Sequence, residues 1–154
     1  MSVVHAFAFT DGFQPKAPLL RAANGRLYGT TERGGPSDAG VVFQLNLSGS
    51  SFAVLHAFAA DAHDGYRPIA GLVQAPDGRI FGTTPLGGRP PSDPNRQGVV
   101  YRLLNTGSVA VLHTFTGPDG GHPLSTVTWG GDGHLYGTTF VGGSTGKGVA
   151  YQML

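Results

Sequence analysis

Apolar positions in this chain fall in short clusters, such as Leu27-Tyr28, Val41-Val42-Phe43 and Val99-Val100-Tyr101. Gly, Pro, Asn and Asp punctuate them. No segment sustains a 3.6-residue period, so helix content near zero is predicted. Runs rich in β-branched and aromatic residues, bounded by turn formers, predict short strands instead.

The clusters repeat. Arg26-Leu27-Tyr28-Gly29-Thr30-Thr31 returns as Arg79-Ile80-Phe81-Gly82-Thr83-Thr84 and as His134-Leu135-Tyr136-Gly137-Thr138-Thr139. Five residues after each central glycine stands a Gly-Gly pair, beginning at Gly34, Gly87 and Gly142. Fourteen residues before it stands a proline, Pro15, Pro68 or Pro123, preceded four residues earlier by Asp11, Asp64 or Asp119. Upstream, Val4-His5-Ala6-Phe7 is matched by Leu55-His56-Ala57-Phe58 and Leu112-His113-Thr114-Phe115. The chain is therefore one repeat domain over 1–154, with repeats at approximately 3–50, 51–107 and 108–154. Two insertions mark the middle copy, one between Phe58 and Asp64 and one at 89–97. Each repeat predicts four strands, the first at 17–22, 69–74 and 124–129. Asn24-Gly25, Asp77-Gly78 and Asp132-Gly133 are the expected hairpin turns.

Composition agrees with many strands and tight turns. The 154 residues hold 26 Gly and 11 Pro, are 40% hydrophobic and only 12% charged. A net charge of +1 without a basic run gives no reason to expect nucleic acid or a membrane surface. With no cysteine, thiol and disulfide chemistry are excluded. No apolar stretch is long enough to span a bilayer. No leader is evident at the start of the chain, which points to the cytoplasm or to a piece trimmed from a longer protein.

The motif series Leu-His-x-Phe, Asp-Gly, Pro, Leu-Tyr-Gly-Thr-Thr, Gly-Gly, Val-Val-Phe resembles the bacterial GloVer tandem repeat over essentially the whole chain. Its cadence is also similar to quinoprotein-like propeller blades. The resemblance implies an all-β propeller of four-stranded blades, the strand after each proline innermost and Val-Leu-His-Ala-Phe outermost. It implies no assigned activity, and family members look extracellular. In that order the last blade lacks its outer strand and residues 3–9 supply a spare one. Three blades are too few for a ring, for which four to eight is typical. The expectation is thus a homodimer of six blades closed by strand exchange, with a nine-blade trimer as the alternative. A closed threefold β-trefoil or β-prism monomer is the rival fold.

The candidate chemistry is thin. His5, His56 and His113 invite a zinc site, yet on the outer strands of three blades their rings diverge, so a packing role is expected. Gly142-Gly143-Ser144-Thr145-Gly146 fits a nucleophile-elbow pattern but lacks the helix that motif needs. Gly146-Lys147-Gly148 departs from a phosphate loop at both flanking positions. Asp61, His63 and Asp64 form a polar cluster read as a solvated turn. No metal or cofactor is indicated.

Function is better sought where the copies differ. The loops entering the innermost strands and the loops after Gly-Thr-Thr should share one face, with both insertions on it. The candidate ligand residues there are Asp11, Phe13, Gln14, Arg33, His63, Asp64, Tyr66, Arg67, Arg89, Asp119 and His122. The leading expectation is a non-catalytic binding or scaffolding module, with a small polar ligand or carbohydrate at that face. A lectin is the second class, although the single Trp129 speaks against a repeated sugar platform. A lyase or hydrolase using Asp64, His63 or Arg67 is the third. An excised or engineered propeller fragment is the fourth.

Overall fold

The computed structural model describes residues 1–60, 63–90, 92–94 and 96–153. It is all-β, with no helix among the described residues. The described residues form eleven strands in three antiparallel sheets, in chain order. The first sheet is β1 (Leu20–Arg21), β2 (Leu27–Thr31), β3 (Val41–Leu45) and β4 (Ala53–Ala57). The second is β5 (Val73–Gln74), β6 (Ile80–Thr84), β7 (Val99–Leu103) and β8 (Val109–Thr114). The third holds β9 (Thr128–Trp129), β10 (Leu135–Thr138) and β11 (Ala150–Met153). Each is a meander, the order that propeller blades share.

The sheets stack face to face, and the period-two alternation of each strand feeds two different cores. Ala22, Tyr28 and Val42 of the first sheet meet Leu72, Ile80 and Tyr101 of the second. Phe81 of the second meets Val127, Leu135 and Tyr151 of the third. Phe58 and Phe115, which end the Leu-His-x-Phe motifs, are fully buried beside Tyr101 and Tyr151. Burying each such ring contributes on the order of 2 kcal/mol.

Three features depart from the sequence reading, and its rival fold is ruled out. The innermost strands are two residues long rather than six, because only Leu20↔Tyr28 and Arg21↔Leu27, and their equivalents, lie in register with the next strand. Residues 3–9 form no strand. They lie against the first sheet of their own chain, where Phe7 packs on Phe43 and His5 stacks on Phe52 at 3.7 Å. The hairpins close as three-residue loops, with Ala22 N–H donating to the Arg26 carbonyl at 2.9 Å and only Gly25, not Asn24, at positive φ. Finally, the closed threefold monomer is not formed. The first and third sheets each leave one face open, at Leu19 and at Tyr136, where a closed ring would cover them.

Candidate functional site

The threonines and glycines that recur in the sequence set the frame. Gly29, Gly82 and Gly137 lie directly opposite Phe43, Tyr101 and Tyr151. A Cβ at any of them would collide with that ring. Their smallness therefore serves packing across strands of one sheet. In the first two repeats the first threonine of the pair reaches the next sheet: Thr30 Oγ1 donates to the Ala70 carbonyl at 2.9 Å, and Thr83 Oγ1 to that of Ser125 at 3.3 Å. The second threonine turns the chain out of the strand, as where Thr31 Oγ1 donates to the Arg33 carbonyl at 2.8 Å.

The two loop sets expected on one face do meet, repeat by repeat. Phe13 pairs with Arg33, Tyr66 with Leu86 and Gly121 with Val141. Gln14, Arg67 and His122 follow, each immediately before its proline and each at positive φ, 57°, 57° and 53°. That twist aims a backbone N–H at the preceding repeat. Arg67 N–H donates to the Ala39 carbonyl at 2.7 Å, and His122 N–H to that of Gln97 at 2.8 Å. The Gln14 side chain is exposed, and those of Arg67 and His122 are half-buried.

Around this rim the remaining candidates are largely engaged. Asp38 takes Arg33 through an ion pair and caps Gly34 N–H at 2.9 Å. That backbone bond, with Arg33 and Arg67 nearby, outweighs burial and holds the Asp38 carboxyl below its ordinary value. Arg89 pairs with Asp93 at 2.7 Å. Arg96 joins the middle copy's two insertions, bonding the carbonyls of Arg89 and Ala60 and lying 5.0 Å over the Tyr66 ring. Arg96 and Asp38 were not among the sequence candidates.

Asp11, Asp64 and Asp119 turn to side chains of their own chain. They close clasps on the three repeated histidines, His5 at 3.1 Å, His56 at 2.6 Å and His113 at 2.9 Å. Burial raises the Asp119 carboxyl, but the Thr116 backbone and hydroxyl bonds and the His113 ring outweigh it, so its net shift is downward. Two members of the polar cluster at the first insertion can be placed. Asp64 turns to His56, His63 is exposed, and Asp61 lies outside the described residues.

A cleft of about 710 Å³ opens at the opposite end of the strands, between the first two sheets, lined by Asn24, Arg26, Tyr28 and Gln74 among others. The equivalent space at the second junction is filled. There Trp129 takes the place of Gln74 and stacks on Phe81 at 6.0 Å, with the Arg79 guanidinium 5.5 Å from the Phe81 ring centre. The lone tryptophan is thus a plug between sheets, half-buried, rather than a surface platform.

A family model described as the Gloeobacter/Verrucomicrobia repeat matches residues 1–154. No curated protein matches the chain. Among solved structures, a protein described as a family-assigned gluconolactonase aligns with a TM-score of 0.52 at 16% identity, over 79% of this chain and 40% of that one. At that identity the likeness is one of fold, and it is propeller-like. The chain spans two fifths of that structure's length.

Proposed function

We propose, from the premise that the chain belongs to the Gloeobacter/Verrucomicrobia repeat family, that it is a non-catalytic propeller repeat module whose binding face is the loop rim at Gln14, Arg67 and His122. One observation carries this reading. All three repeats place a non-glycine residue at positive φ directly before a proline, where both the side chain and the proline oppose that conformation. Such positions cost on the order of 1–3 kcal/mol each. Glycine would satisfy the same backbone turn, so the carboxamide, guanidinium and imidazole are kept for what they present. Together they offer donors and an acceptor to a small polar ligand, with Tyr66 as a nearby ring. Carbohydrate is the class we assign.

A glycan array probed with the labelled chain tests this. Binding by the native chain should be lost in an Arg67→Gly/His122→Gly variant whose thermal midpoint is unchanged or raised, since glycine relieves the backbone. No bound glycan, or binding that survives the double substitution, would overturn the assignment.

A further inference from the structure

The middle sheet meets the sheet before it on one face and the sheet after it on the other, whereas the first and third sheets each meet only one neighbour. The repeats allow the two outermost faces to be compared with their buried counterparts. On the forward face, Tyr28 is 8% exposed and Phe81 0%, while Tyr136, at the same repeat position, is 39% exposed. Thr138 repeats Thr30 and Thr83, but among the described residues its hydroxyl meets only Ser125 Oγ of its own sheet, at 3.1 Å. A shallow cavity of about 360 Å³ lies over this face, lined by Ser125, Thr128, Tyr136, Thr138 and Ala150. On the backward face, Leu72 is 6% exposed and Val127 1%, while Leu19 is 47% exposed.

The two open faces are the two halves of a junction that the chain already makes twice. Residues 3–9 add to the match. Their side chains already hold the geometry of an outer strand relative to the sheet that follows. His5 clasps Asp11 as His56 clasps Asp64 and His113 clasps Asp119. Phe7 lies 5.1 Å from Phe43, against 5.5 Å for Phe58–Tyr101 and 5.2 Å for Phe115–Tyr151. What differs is the backbone. β4 and β8 pair with β3 and β7, whereas residues 3–9 belong to no sheet and the outer edge of β11 is open among the described residues.

We infer that a second copy of this chain completes both ends, in a ring of six blades with two identical junctions. The third sheet of one copy seats its Tyr136–Thr138 face on the Leu19 face of the other, and residues 3–9 of the second copy pair with β11 of the first. The repeats specify the register. His56 stands opposite Val42, and His113 opposite Val100. His5 of one copy therefore stands opposite Ala150 of the other. Thr30→Ala70 and Thr83→Ser125 translate into Thr138 Oγ1 donating to the Ala17 carbonyl. Arg67→Ala39 and His122→Gln97 translate into Gln14 N–H donating to the Lys147 carbonyl. The junction is head-to-tail, so closure rather than a two-fold patch ends the assembly. It also removes the open β11 edge.

Light scattering on the native chain should give twice the 15.9 kDa chain mass. Leu19→Asp and Tyr136→Asp, each on an open face, should each give the single-chain mass with an unchanged circular dichroism spectrum. An Ala17→Cys/Thr138→Cys variant, in a chain otherwise free of cysteine, should oxidise to a disulfide-linked two-chain product. A native single-chain or three-chain mass would overturn the inference, as would a folded Leu19→Asp or Tyr136→Asp chain that remains double. Should either aspartate variant fail to fold, the cysteine pair decides: no intermolecular disulfide refutes the junction.

Discussion

Tyr101 lies with its ring across Gly82, and its hydroxyl is buried with no hydrogen-bond partner among the described residues. Burial alone drives its phenol above the ordinary value, and pushes that of Tyr151 up to about 12. The first repeat fills the same place with Phe43, so the site accepts a ring without the oxygen. An unpaired buried hydroxyl costs about 1–3 kcal/mol. Tyr101→Phe should therefore stabilise the chain by about 1 kcal/mol, raising the thermal midpoint by roughly 2–4 °C for a domain of this size. A calorimetric scan checks this, and a lowered midpoint would mean that the hydroxyl has a partner. The same scale shows why the His–Asp clasps were not legible in the sequence. The aspartate's spacing from the histidine differs between copies, four residues beyond Phe7 and Phe115 but six beyond Phe58, so no fixed His–Asp period was visible.

At the scale of the strand, the Leu-Tyr-Gly-Thr-Thr element carries more than strand propensity. Its glycine gives room to the aromatic ring of the facing strand, and its two threonines link the next sheet and shape the exit turn. Gly82→Ala should drive a methyl group into Tyr101 and cost roughly 1–3 kcal/mol, the usual range for overpacking a core. Gly82→Ala/Tyr101→Leu should recover part of that loss, because the obstructing ring is gone. A urea titration of the two variants measures it, and equal instability in both would place the strain elsewhere. The outer strands hold a detail that pattern reading could not find. Register shifts between Val42 and Phe43, and between Val100 and Tyr101, leave Leu55 and Leu112 as bulge residues, and both pack into the core between sheets. Alternation would have sent every second residue of that strand outward. The bulge breaks the count by one, and nothing in Val-Leu-His-Ala-Phe announces it.

At the scale of the molecule, the repeat, the meander order and the shared loop face were all legible, because each follows from residues that recur in every copy. The state of residues 3–9 was not. A strand exists only as part of a ladder, so Val4-His5-Ala6-Phe7 can carry the same signature as Leu55-His56-Ala57-Phe58 and still form no strand where no sheet edge faces it. The side-chain half of the motif is satisfied within one chain, while its backbone stands in no ladder. This division has a thermodynamic consequence. If folding and ring closure are linked, two unfolded chains stand against one assembled ring, and stability depends on chain concentration by mass action. Each tenfold rise in concentration should then add about 1.4 kcal/mol per ring, and the thermal midpoint should climb accordingly. Leu19→Asp, which spoils only the open face, should melt at a lower temperature that does not move with concentration. Calorimetric scans over a hundredfold dilution series distinguish the two cases. A native midpoint independent of concentration would show that the three blades are stable by themselves and that the exposed faces stay open.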